Sequence, residues 1–384
     1  MRKLLPARTL ASLVLLFALA QAAAAQVTAP LDTRGALAAL PDSQGVLFIN
    51  VRRIVNEMLP KIMPPAEYQK MLSEAQKVGF DARGVEYAAV AIRLADPAPA
   101  NGLPEFVVVV KGNFNADTLL SLGRVVAGAK NVKTRSETYG SKTLEIIDLE
   151  AFNKPNENAD PNAPAPEGGD GAKPKPMPYP EVAVMALDSS TLVAGVPAYV
   201  RAAVDSSGGQ NALKASMLEL AAHDPQALWS LTAELPPSLV PYLHKTGMPA
   251  SEQADEMISW VKQLSVAQGM DALNYTLSAA VLTDAPEHAS AFSGLIRMGL
   301  LAAQTGLNAE AAKQTPKHKD YAKTQTGLAA LKTFVNRTDG NTLHLSVSVP
   351  QKTVAQLVRQ EMAKKPAAAT TTKPAPRRRG RARK

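Results

Sequence analysis

The stretch VAVMALDSSTLVAGVPAYVRAAVD, residues 182–205, decides how the fold is interpreted. Two apolar runs flank a short polar turn, which predicts a pair of strands. A helix is then predicted to begin at Pro197, because the first turn of a helix does not need the donor that proline lacks. The segment NTLHLSVSVPQKTVAQLV, residues 341–358, has the same layout with different polar residues. We therefore interpret this feature as scaffold, in which Gly195 is expected to allow the tight bend from strand to helix.

Other segments of the second half also resemble segments of the first. ALWSLTAELPPSLVPYL has the layout of VLFINVRRIVNEMLPKI, with Pro241 in the place of Pro60, and the hairpin pattern at 331–349 is matched to that at 132–149. One helical face is predicted from the spacing of Met257, Trp260, Val261 and Leu264. The sequence predicts an α+β fold of two related units, 26–215 and 216–363, each with a mainly antiparallel sheet and amphipathic helices on one face.

Residues 153–180 form a low-complexity stretch with eight prolines and three glycines. Such a composition gives an extended, flexible segment. Because the strands predicted on either side fit one sheet, we interpret the stretch as an insertion within the first unit. The alternative interpretation is a boundary between two domains.

The first 25 residues have the three parts of a secretory signal, with cleavage expected after Ala25. The alternative is an uncleaved N-terminal membrane anchor, although a spanning helix needs about 20 apolar residues and this run is shorter. The chain has no cysteine, which excludes disulfides, thiolate metal sites and a cysteine nucleophile. We expect an exported protein, located in the bacterial periplasm or secreted.

The positive charge is concentrated at the two ends. The formal charge of +8 becomes −4 when the three cations of the signal and the nine of residues 364–384 are set aside. The disordered tail ends in RRRGRARK, with six cations in eight residues, and this composition predicts salt-dependent binding to polyanions. The predicted contacts to an anionic surface are Lys373, Arg377, Arg378, Arg379, Arg381, Arg383 and Lys384.

No constellation that carries chemistry is evident. The five histidines have no metal-ligand spacing, and no G-x-S-x-G elbow is present. Aromatic residues make up 5% of the chain, and the tail has none to stack on bases, so sequence-specific nucleic-acid recognition is not expected. We predict no catalytic, cofactor-binding or metal residues and no cofactor.

The segments ALPDSQGVLFINVRRIV, VVVVKGNFN and STLVAGVPAYVRAAVD resemble exported bacterial proteins built from a signal peptide and repeated strand–helix–strand units. The resemblance covers residues 38–360 and implies no activity. The sequence favours a non-enzymatic envelope protein, a binding or scaffold module whose tail tethers it to a membrane surface, lipopolysaccharide or wall polymer, with a protein partner unidentified. The alternatives are a hydrolase with a dispersed active site, and a protein that binds polyanions or nucleic acid through the tail.

Overall fold

A computed structural model describes residues 32–77, 81–94, 103–129, 132–149, 179–210, 212–224, 226–236, 240, 244, 251–315, 318 and 320–363. The signal, Ala25 and the tail at 364–384 lie outside the described residues, as does the insertion up to residue 178.

The strands form a single twelve-stranded antiparallel sheet. Their order across the sheet is β11-β12-β10-β9-β8-β1-β2-β3-β7-β6-β5-β4. The strands are β1 Gly45–Ile49, β2 Val85–Arg93, β3 Glu105–Gly112, β4 Thr134–Tyr139, β5 Lys142–Asp148, β6 Glu181–Asp188, β7 Thr191–Gly195, β8 Ala227–Glu234, β9 Val261–Met270, β10 Asn274–Thr283, β11 Val335–Asp339 and β12 Thr342–Pro350.

The described residues include ten helices with defined bounds, of which the second is continuous through a wider π turn. They are α1 Thr33–Ala38, α2 (Val51–Arg53, the π turn Ile54–Met58 and Leu59–Ile62), α3 Pro65–Lys77, α4 Ala116–Ala129, α5 Pro197–Ser207, α6 Ala215–Ala221, α7 Glu252–Trp260, α8 Pro286–Lys313, α9 Tyr321–Lys332 and α10 Gln351–Ala363.

The predicted α+β class and antiparallel sheet are confirmed, whereas the division into two units is not. Strands β1 and β8 pair along their length, from Gly45 opposite Ala233 to Ile49 opposite Trp229, so the two halves share one sheet. From this pair outward, the order is β1-β2-β3-β7-β6-β5-β4 on one side and β8-β9-β10-β12-β11 on the other. The hairpin β11–β12 thus occupies the position of β6–β7, and not that of β4–β5 (residues 134–148) as we expected. The duplication itself stays a prediction.

Helices pack on both faces of the first-half strands, where a single layer was expected. Val107 and Val109 of β3 belong to the main core, together with Tyr199 of α5 and Met217 of α6. Val110 points to the opposite face and packs beside Leu119 of α4. Because the run FVVVV is apolar on both faces of the sheet, both faces need a covering layer.

The prediction of one helical face over Met257, Trp260, Val261 and Leu264 is correct for the first two residues and wrong for the last two. Helix α7 ends at Trp260, and Val261 begins strand β9. Residues of β9 are half-buried on both faces, so the strand lacks the clear alternation that would have distinguished it from a helix.

The junction of β7 and α5 has the predicted form, but Gly195 is required for a different reason. A Cβ atom on Gly195 would collide with the carbonyl oxygen of Phe106 and lie 2.8 Å from Cα of Val107. The same β3 carbonyl accepts a hydrogen bond from the backbone N–H of Val196 at 3.0 Å. Gly195 therefore permits close contact between neighbouring backbones, as glycine within a strand often does.

We predict that Gly195→Ala lowers the free energy of unfolding by about 1–3 kcal/mol or more, because the backbone of β3 cannot move aside as a side chain could. Gly128→Ala in α4 is the matched control, since open space surrounds that position and alanine favours helix by up to about 1 kcal/mol. Urea unfolding of both variants measures the difference. Equal stability of the two variants would contradict the assignment.

Candidate functional site

Helix α2 begins directly after the central strand β1. The side chain of Asn50 caps it by accepting a hydrogen bond from the backbone N–H of Arg53 at 3.1 Å. Pro60 lies inside this helix, where proline normally disrupts the backbone ladder. The ladder widens just before it: the N–H of Leu59 donates to the carbonyl of Ile54, five residues earlier. This π turn lets α2 continue past Pro60 to Ile62.

Contacts with the second half fix the position of α2. The guanidinium of Arg53 donates to the backbone carbonyl of Gln226, and also to that of Met270 at 3.2 Å. Further along α2, Met58 and Ile62 pack on a buried cluster of residues from the second half. The cluster consists of Leu228, Met270 and Tyr275. Val354 of α10 packs on the same cluster, so α2 and α10 lie side by side on one end of the sheet.

The start of α10 is equally well defined. The backbone N–H of Gln351 donates to the carbonyl of Leu273 at 2.8 Å, and its side-chain amide donates to the carbonyl of Asp271 at 2.6 Å. Further along, the guanidinium of Arg359 donates to the carbonyl of Lys61 at 3.3 Å. The two helices therefore hold the groove between them in a fixed geometry.

This groove, which we call the basic cleft, has a volume of about 580 Å³. Its lining consists of Lys61 from α2 and, from α10, Gln351, Lys352, Ala355, Gln356, Arg359 and Gln360. The three cations are exposed, and among the described residues the lining includes no carboxylate. Like charges brought together on a rigid surface create a positive potential that an anion relieves. The glutamine amides add neutral donors and acceptors.

The predicted site residues in the tail, Lys373 to Lys384, lie outside the described part of the chain. The cleft residues Lys61, Lys352 and Arg359 were not predicted. Lys352 and Arg359 are seven residues apart, which places them on one helical face, and this spacing could have been found. Lys61 could not, since only the folded structure brings α2 beside α10.

A second polar cluster fixes the start of α8. The imidazole of His288 stacks on the indole of Trp260, with ring centroids 4.0 Å apart and an angle of 3°. Nδ1 of His288 lies 2.6 Å from a carboxylate oxygen of Asp284, and the backbone N–H of Asp284 donates to the carbonyl of Trp260 at 2.9 Å. These contacts join the end of α7 to the first turn of α8 and give the cluster a structural role.

The remaining histidines have different surroundings. His244 lies 2.8 Å from a carboxylate oxygen of Asp255, His223 and His318 are exposed, and His344 is half-buried on β12. Within the described ranges, no group of three or more metal-ligating side chains could hold a metal ion. Asp81 and Asp271 are turn residues: each accepts a hydrogen bond from the backbone N–H two residues later.

The Asp284 pair predicts a specific dependence of stability on pH. The hydrogen bond with His288 holds the pKa of Asp284 below its ordinary value of 3.8. A lowered folded-state pKa stabilises the fold above the ordinary value, and this stabilisation is lost as the pH falls through the lowered one. Asp284→Asn should therefore reduce stability slightly at neutral pH, and the reduction should shrink as the pH falls below the ordinary carboxyl pKa of 3.8.

Urea unfolding followed by tryptophan fluorescence at several pH values measures this difference. The control is Asp339→Asn, which removes a carboxylate at an exposed position of β11. A loss of stability that is the same at every pH would contradict the role assigned to the Asp284 carboxylate.

In the part of the chain that the structure describes, no helix is both long and apolar enough to cross a bilayer. No protein-family model and no curated protein matches this chain. Solved structures of TP0453 are similar to it at low level. The alignment with TP0453 in crystal form III covers 86% of this chain and 98% of the TP0453 chain, at 7% sequence identity and a TM-score of 0.41. The alignment with crystal form I covers 86% of this chain and 97% of the TP0453 chain, at 6% sequence identity and a TM-score of 0.38.

Proposed function

We propose that this chain is a non-enzymatic, exported envelope protein, a binding or scaffold module whose basic C-terminal end holds it at an anionic surface. The observation that carries the proposal is the basic cleft, in which three exposed cations meet without a carboxylate in the lining. Export rests on the signal pattern of residues 1–25. The non-enzymatic interpretation rests on the sequence, which lacks the nucleophile and metal-ligand patterns of the common hydrolases.

The cleft and the tail are connected in the sequence through α10. Helix α10 supplies Lys352 and Arg359 to the cleft and ends at Ala363, directly before the nine cations of residues 364–384. The negative charge of the body therefore does not prevent binding at this end. A polyanion attracted by the tail would meet the cleft next, since α10 supplies two of the three cleft cations and the tail follows α10 directly in the sequence.

The ligand chemistry that fits is a phosphate-bearing surface. A guanidinium can contact two phosphate oxygens at once, and lysine ammonium groups supply point charges beside it. Phospholipid headgroups, lipopolysaccharide and phosphate-containing wall polymers present such groups at high density. Each cation near an anionic membrane contributes about 1 kcal/mol, so the tail supplies affinity and the cleft supplies a defined contact.

We predict that the chain from Gln26 onward binds vesicles containing phosphatidylglycerol, with an affinity that falls steeply as salt is raised. Removal of residues 364–384 should abolish most of the binding. Lys352→Glu should weaken binding of the intact chain roughly 30-fold, because it changes the local charge by two units, at about 1 kcal/mol each. Co-sedimentation over a salt series measures all three.

Lys133→Glu is the matched control, because it makes the same change in net charge at an exposed position before β4. It should leave the affinity close to that of the parent chain. Equal weakening by both variants would show that only net charge matters, and absence of binding at low salt would refute the tether. Competition by soluble lipopolysaccharide separates the two sources of phosphate.

A further inference from the structure

Helix α8 has one face that packs on the protein. Ala289 and Ser293 are buried, and Ile296, Leu300 and Leu307 on the same side are half-buried. The hydroxyl of Ser293 donates to the side-chain oxygen of Asn336 at 2.9 Å, and the Asn336 amide donates back to the Ser293 carbonyl at 2.9 Å. These bonds fix α8 on β11, so its opposite face has a fixed orientation.

The opposite face is apolar and unprotected. Leu295 is 45% exposed, Met298 63% and Leu301 67%. Their spacing places them on one side of the helix with Ala291, Ala302 and Thr305, all of which are exposed. We call these six residues the exposed α8 face. A contiguous, mainly apolar stripe of this kind on the surface of a folded domain marks an interaction surface.

Two charges bound this face, and they have opposite signs. Glu287 lies in the first turn of α8 and Lys313 in the last, at equal distances from Leu300, and both are exposed on the same side. If a second α8 lies antiparallel across the exposed face of the first, and the two cross at the level of Leu300, each Glu287 faces the Lys313 of the other copy. The helix dipoles then also oppose one another favourably.

The sizes of the side chains are complementary about the same midpoint. The antiparallel arrangement places Met298 opposite Ala302, and Leu295 opposite Thr305. Gly294 and Gly306 border the face at equal distances from the level of Leu300, and no atom lies within 4 Å of where a Cβ would stand on either glycine. Large residues therefore meet small ones, which allows close approach of the two helices.

We infer that a second copy of this chain covers the exposed α8 face, in a two-fold symmetric dimer with antiparallel α8 helices. An isologous interface requires a self-complementary surface, and the opposite charges at equal distances from Leu300 provide one. A helix face that binds an anionic membrane is typically flanked by cations. The exposed α8 face instead has the acidic Glu287 at one end, which favours a protein occupant. The inference is independent of the proposed function.

The first test is the mass of the chain from Gln26 onward by sedimentation equilibrium. The parent chain should be dimeric, and Met298→Glu should raise the dissociation constant at least about 100-fold, because it buries an unpaired charge in the interface. Gln304→Glu is the control: that residue is exposed but lies outside the stripe, and its variant should remain dimeric. A monomeric parent, or a dimeric Met298→Glu variant with native circular dichroism, would overturn the inference.

The second test determines the relative orientation of the two helices. Because the chain has no native cysteine, only the introduced cysteines can form a disulfide. A mixture of Glu287→Cys and Lys313→Cys chains should form a disulfide-linked dimer on oxidation, whereas neither variant should do so alone. Cross-linking of Glu287→Cys with itself would indicate parallel helices and overturn the proposed arrangement, as would failure of the mixture to cross-link.

Discussion

Strands β1 and β8 run antiparallel at the middle of the sheet, and the arrangement of both halves depends on their pairing. Beyond the strand ends the ladder continues, since the N–H of Asn50 donates to the carbonyl of Leu228 at 2.8 Å and that of Glu234 donates to Gln44 at 2.7 Å. Separate halves would each expose a strand edge here, which proteins avoid. The pairing also brings α2 from the first half beneath the second, where it forms one wall of the basic cleft.

Local features of this fold were predictable because local chemistry determines them. The glycine turns of the two hairpins illustrate this, since Gly140 and Gly340 adopt φ of 56° and 55°, a region that glycine enters without strain. Strand β9 was mistaken for helix because Val261 and Leu264 continue the helical spacing of Met257 and Trp260, which belong to a true helix. The pairing of β1 with β8 joins residues almost two hundred positions apart, and no local pattern records it.

The candidate site illustrates the same limit. Lys352 and Arg359 share a helical face that the sequence shows, whereas Lys61 joins them only through packing of Met58, Ile62 and Val354 on one cluster. The net negative charge of the body also concealed a local concentration of cations. The exposure of the α8 face could not be predicted for a different reason. The run GLIRMGLLAA, residues 294–303, has the apolar composition of a buried helix. A dimer formed through it would present two basic tails, which strengthens surface binding without new contacts.

The most direct test of the account is native-state hydrogen exchange in increasing denaturant, followed by mass spectrometry of peptides from both halves. If the β1–β8 pairing makes one cooperative body, peptides from β2–β3 and from β9–β10 should lose protection at the same denaturant concentration. Protection lost in β9–β10 well before β2–β3 would show that the halves unfold independently, and would contradict the claim that the central pair holds the molecule together.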